Sequence, residues 1–137
     1  LLAALAALPG VRMDGFLTTP LRRTFTYCKP LVLEAEKPPR ELNRLDSKNW
    51  TSTPAPVVGD LMKAVTNLRS KVDAVIVMDQ VDVVETGVVT SRLLPLLKEF
   101  SKSVPVVADS RRGLRDWPPV IFKMNVLKKS FVTNGLI

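Results

Sequence analysis

Three apolar runs in this chain each end on a small polar side chain: AVIVM at Asp79, VPVVA at Asp109 and VIFKM at Asn125. Runs this short, rich in Val and Ile and without alternation, predict strands of a parallel sheet covered on both faces. Between the first two lies TSRLLPLLKEFSKS, long enough for a helix. Strand, helix and strand in that order form a crossover whose expected hand is right. The helix is expected to begin near Thr90, a good N-cap, and to bury Leu93, Leu97 and Phe100. Pro95 costs that helix a hydrogen bond unless the helix starts later. Ahead of the first run, VVGDLMKAVTNLRSKV sets Val58, Leu61, Met62, Val65, Leu68 and Val72 on one helical face.

The N-terminal third is patterned differently. RRTFTYCKPLVLEAE interleaves Thr24, Thr26, Cys28 and Leu31 with Phe25, Tyr27 and Lys29, a period of two in β-forming residues. EKPPR then predicts a turn, because two prolines do not fit a sheet interior. ELNRLD supplies a second strand, so the pair forms a small hairpin with one wet face. SKNWTSTPAP, from Ser47 to Pro56, is a connection. The opening LLAALAALPG is too short to span a bilayer and lacks a basic leader, so it reads as an amphipathic helix stopped at Pro9-Gly10. A chain that starts inside a helix is expected to be part of something longer. The tail KKSFVTNGLI offers a short strand at FVT and a turn at Asn134-Gly135.

Composition narrows the chemistry. At 137 residues the chain is about one domain, small for a complete doubly wound enzyme. It holds no histidine, which removes the commonest general base and metal ligand and leaves carboxylates, lysines or an oxygen-held metal. The net charge of +7 favours anionic partners. The basic residues are scattered and match no nucleic-acid-binding motif, so nucleic acid is not expected as a partner, and neither is a membrane. The single cysteine, Cys28, excludes an internal disulfide and fits a cytoplasmic setting. With no base nearby in sequence, Cys28 reads as a small packing residue, and Trp50 and Trp117 read as packing residues or loop anchors.

Open parallel sheets bind ligands in the crevice beyond the carboxyl ends of their strands, which is where Asp79, Asp109 and Asn125 fall by order alone. Asp79 is either a substrate-edge residue or a loop cap bonding nearby N–H groups. Asp109 with Arg111, Arg112 and Arg115 is either a self-neutralising surface loop or a set of arginines facing phosphates.

The succession DAVIVMDQVDVVETGVVTSRLLPLLKEF, VPVVADSRRGL and VIFKMN resembles the central region of PfkB-family (ribokinase-like) carbohydrate kinases, and within them the heptose-phosphate kinase type. TFTYCKP and ELNRLD resemble the lid of those kinases, and GVRMDGFLTTP the stretch leading into it. The resemblance implies an α/β fold: a partial ribokinase-like three-layer core with parallel strands and a small β lid hairpin. It implies one partial domain over residues 1–137, with the lid at about 23–48 and the core at about 57–125. It implies ATP-dependent phosphoryl transfer to a sugar or sugar phosphate, with ATP and Mg²⁺ as cofactors, and a homodimer through the lid. Carried onto this sequence, Thr26, Lys29 and Asp79 face the sugar, and Asp109 and Asn125 face nucleotide phosphates.

The departures are specific. No Gly-Gly-x-x-x-Asn segment and no Gly-Ala-Gly-Asp motif occur, so the catalytic aspartate and anion hole are missing. The Asn-x-x-Glu motif falls on Asn125-Val126-Leu127-Lys128, with Lys in place of the Glu, which opposes Mg²⁺ binding. The chain is therefore expected to be inactive alone, with ATP and Mg²⁺ binding in doubt. The alternative is a non-catalytic α/β module that binds a sugar phosphate or nucleotide. A receiver-like domain using Asp79 as phosphoacceptor ranks last, because the acidic pair it needs on an earlier strand is missing.

Overall fold

The structure, a computed structural model, describes residues 2–123. Its core is a parallel sheet of β5 (Val75–Asp79), β6 (Val106–Ser110) and β7 (Ile121–Phe122), in the order β5-β6-β7. These are the three apolar runs. Helix α2 (Ala55–Thr66) precedes β5, and α3 (Leu94–Phe100) joins β5 to β6. Leu97 and Phe100 of α3 pack on Val77, Val106 and Ala108 of the sheet, and Met62, Val65, Leu68 and Val72 close over the same cluster.

Pro95 finds the place the sequence left it. Helix α3 begins at Leu94, so the proline falls in the first turn, where its missing N–H has no partner to lose. Thr90 is not its cap: Leu93 holds that position, and the Thr90 carbonyl accepts the Leu93 N–H at 2.9 Å. Pro56 likewise sits in the first turn of α2, which ends at Thr66. Leu68 and Val72 reach the core from the turns that follow.

Among the described residues the sheet is covered on one face only. Burial alternates along β5, and Ile76, Met78 and Ile121 keep 75%, 49% and 57% exposure on the side away from the helices. Both α2 and α3 pack on the Val77 side, so the described residues form two layers rather than three. The uninterrupted Val/Ile run misled the reading because Ile76 and Met78 are apolar residues on an open face.

The segment expected to form a lid is a bent hairpin. β1 (Thr26–Cys28) pairs antiparallel with β4 (Leu45–Ser47), and β2 (Leu31–Val32) with β3 (Arg40–Glu41). Between the two ladders one strand spends Lys29 and Pro30 while the other spends Leu42, Asn43 and Arg44, an extra residue that bends the ribbon. The turn at Glu34–Lys37 passes through Glu36 at φ 59°, ahead of the two prolines. Cys28 is exposed, which corrects its reading as a packing residue; Trp50 is exposed as well, whereas Trp117 packs against the core. The first helix, α1 (Leu2–Ala6), buries none of its residues.

Candidate functional site

Parallel pairing puts Asp79 and Asp109 at the same end of the sheet but not on the same face. The register sets Asp79 beside Ser110 and Met78 beside Asp109. Asp79 therefore faces the helices, at 1% exposure, while Asp109 lies on the side of Ile76 and Met78, where Lys123 reaches it at 3.3 Å. Asn125 and Lys128 lie outside the described residues.

A buried carboxylate needs partners, and Asp79 has them. Its Oδ2 accepts from the Ser110 hydroxyl at 2.8 Å and from the Arg112 guanidinium at 2.7 Å. The Ser110 hydroxyl in turn accepts the Arg112 backbone N–H at 3.2 Å, and the Asp79 carbonyl accepts the Arg111 N–H at 3.0 Å. Asp79, Ser110 and Arg112 thus form one unit at the carboxyl edge, built by the register of two neighbouring strands. Asp79 Oδ1, Arg112 Nε and Thr90 Oγ1 are buried without a hydrogen-bond partner. The first two belong to groups already in contact, and a small rotation toward a two-point fork joins them.

The loop after β5 is held from two sides. Arg22 donates to Thr53 Oγ1 and to the Thr86 carbonyl, and Thr53 donates to the Gly87 carbonyl at 2.7 Å. Partial burial holds the Arg22 guanidinium below its usual pKa. Glu85, at φ 61°, accepts the Thr53 N–H on its carbonyl and the Ser91 N–H on Oε1, both at 2.7 Å. A non-glycine residue in the left-handed region costs about 1 kcal/mol or more and persists where its surroundings fix it.

The hairpin seats on this edge. Tyr27 donates its hydroxyl to the carbonyl of Gln80, the residue after Asp79, at 3.0 Å. Arg44 and Arg111 both stack on the Tyr27 ring, 5.0 and 4.9 Å from its centroid. Lys48 bonds Asp82 at 2.5 Å, which holds Asp82 below the usual carboxylate range and Lys48 above the usual ammonium range. Arg44 pairs with Asp46 at 2.7 Å.

Thr26 and Lys29 are not part of that contact. Thr26 donates to the Thr24 carbonyl and Lys29 pairs with Glu41, both within the lid and both exposed. Sequence reasoning missed Tyr27's partner, Lys48, Gln80 and Asp82, because nothing in the pattern tells which strand of a hairpin meets which loop. Ser110 was legible in principle: ADS alternates, so Ser110 shares a face with Ala108, but its pairing with Asp79 depends on register.

Among the described residues no group of three or more acidic, Cys or His side chains is placed to hold a metal ion. Asp79, Asp82 and Asp109 each meet a cation instead, so the described carboxylates do not fit Mg²⁺. A cavity of about 360 Å³, lined by Arg12, Asp14, Leu68, Lys71 and Val72, lies beside the amino end of β5, away from the Asp79 edge. No helix among the described residues is long and apolar enough to cross a membrane. No protein-family model matches the chain, and no curated protein or solved structure matches it significantly.

Proposed function

We propose that this chain is the central region of a PfkB-type carbohydrate kinase and that it binds sugar phosphate or nucleotide at its carboxyl edge without turning either over. The observation that carries the reading is the lid seated beside Asp79. A polar hairpin closes on the carboxyl ends of a parallel sheet, where such sheets take ligands, through contacts to Gln80, Asp82 and Arg111. Asp79 fixes Arg112 at that edge, and the partly exposed Arg111 beside it suits an anionic group.

Phosphoryl transfer requires a base for the hydroxyl and groups that bridge and neutralise the phosphates. The carboxylates of the edge are engaged with Arg112, Lys48 and Lys123, and none of them is set to take a proton from a hydroxyl. That arrangement favours binding over turnover. Calorimetric titration with ATP, ADP, hexoses and heptose phosphates tests the reading. Saturable binding of a nucleotide or sugar phosphate, weakened at least about tenfold by Asp79→Asn, is expected. No saturable binding, or binding indifferent to Asp79→Asn in the folded variant, overturns it.

A further inference from the structure

The contact between lid and edge carries an unmatched positive charge. It holds three cations, Arg44, Lys48 and Arg111, against two carboxylates, Asp46 and Asp82. Arg44 takes Asp46 at 2.7 Å and Lys48 takes Asp82 at 2.5 Å. Arg111 is left with Asp82 at 4.0 Å, the neutral Gln80 Oε1 at 3.2 Å and the face of Tyr27. Its neighbour Arg112 is locked to a buried carboxylate, whereas the Arg111 side chain keeps 35% exposure. Of the two adjacent arginines on the edge, one is structural and the other is loosely held.

We propose that Arg111 is an anion-binding residue whose loose ties also hold the lid, so that a phosphate-bearing ligand releases the lid as it binds. A di- or triphosphate offers Arg111 a far better partner than a ring at 4.9 Å or a carboxylate at 4.0 Å, and Arg engages such groups through two parallel hydrogen bonds. To reach one, the guanidinium must leave the Tyr27 face. The ring then keeps Arg44, and Asp82 keeps Lys48, so the lid loses part of its hold and no carboxylate is left alone. Two guanidinium groups on one ring also repel each other, and Arg111's departure relieves that. The inference rests on the proposed anionic ligand; the lid contact is tested without it.

Hydrogen exchange at the lid amides of residues 26–28 and 45–47, with pyrophosphate as the probe, separates the parts. Without ligand, Arg111→Gln is expected to speed lid exchange about two- to five-fold, the worth of an exposed cation–π contact. Saturating pyrophosphate is expected to bring the wild-type lid to the same rate and to leave the variant's lid unchanged. Coupling is reciprocal, so Tyr27→Leu, which frees Arg111, is expected to tighten pyrophosphate binding by the same two- to five-fold. A merely structural Arg111 gives no such gain. Lid exchange equal in wild type and Arg111→Gln overturns the proposal, as does pyrophosphate that binds without speeding the lid, or that does not bind. Nucleotide binding with an unresponsive lid leaves the proposed function standing and removes only the coupling. Absence of any nucleotide or sugar-phosphate binding removes the proposed function itself.

Discussion

Replacing Asp79 by alanine tests whether the edge is held together by its buried ion pair. The carboxylate is 1% exposed, and one oxygen, Oδ2, receives both the Ser110 hydroxyl and the Arg112 guanidinium. Alanine leaves a guanidinium in a low-dielectric site without its anion and a fully buried hydroxyl without that acceptor. Removing one member of a buried pair costs about 3–5 kcal/mol. The Arg112 side chain keeps 22% exposure, so water recovers part of the loss and the lower end, about 3 kcal/mol, is expected. Asp79→Asn keeps an acceptor for Ser110 and loses only the charge, for an expected cost of about 2 kcal/mol. Combined with Arg112→Ala, Asp79→Ala is expected to cost less than the two singles added together, with a coupling of about 2 kcal/mol. Urea unfolding followed by the fluorescence of Trp117, which packs on the core, reads the wild type and all four variants. An Asp79→Ala loss under about 1 kcal/mol, or strict additivity in the cycle, shows that the pair does not hold the edge.

Thr90 buries a hydroxyl with no partner, so Thr90→Val, nearly the same shape, is expected to leave stability unchanged or raised in the same urea assay; a clear loss shows that the hydroxyl has a partner. Gly87→Ala places a methyl 2.9 Å from a Val81 γ-carbon in a buried loop and is expected to cost about 1–3 kcal/mol, seen as a lower melting temperature. The Lys48–Asp82 bond contributes above the lowered Asp82 pKa and below the raised Lys48 pKa. A dye on Cys28, which sits in the same hairpin, should therefore report a docked hairpin between those two limits, with release as pH falls through the lowered Asp82 pKa or rises through the raised Lys48 pKa, and Lys48→Met should abolish both transitions. In a coupled assay with ATP, Mg²⁺ and a panel of hexoses and heptose phosphates, no turnover is expected from this chain or from Lys128→Glu. A general base is typically worth about 10²–10⁴-fold and one oxyanion donor about 10²–10³-fold, and the substitution supplies neither.

The sequence showed the parallel runs and the crossover helix because both rest on local pattern: Val and Ile in short blocks, and Leu93, Leu97 and Phe100 at helical spacing. It showed that Asp79 and Asp109 share an end of the sheet, since parallel strands carry their termini together. It did not show that the two carboxylates are back to back. That follows from a single step of the two-residue period, and an apolar run on a half-open sheet hides the period by placing Ile76 and Met78 where polar residues would mark the outside. The hairpin's outline was legible from its two β-patterned segments around Pro38-Pro39, although the turn falls at Glu34–Lys37, ahead of the prolines, and its seat was not legible. The contacts of Tyr27 with Gln80 and of Lys48 with Asp82 join residues 53 and 34 positions apart, and no local preference encodes them.

The open face of the sheet changes what a common dye reports. Anilinonaphthalene sulfonates brighten on accessible apolar surface, and their binding is usually taken as the mark of a loosened, partly folded state. Ile76, Met78 and Ile121 present such surface on the folded sheet, beside Lys123, whose charge suits the dye's sulfonate. The native chain should therefore brighten the dye while Trp117 is still packed on the core, and Met78→Lys should dim it without moving the unfolding midpoint by much. Dye fluorescence from the native chain would then report the exposed Ile76, Met78 and Ile121, and loss of tertiary packing is better followed at Trp117.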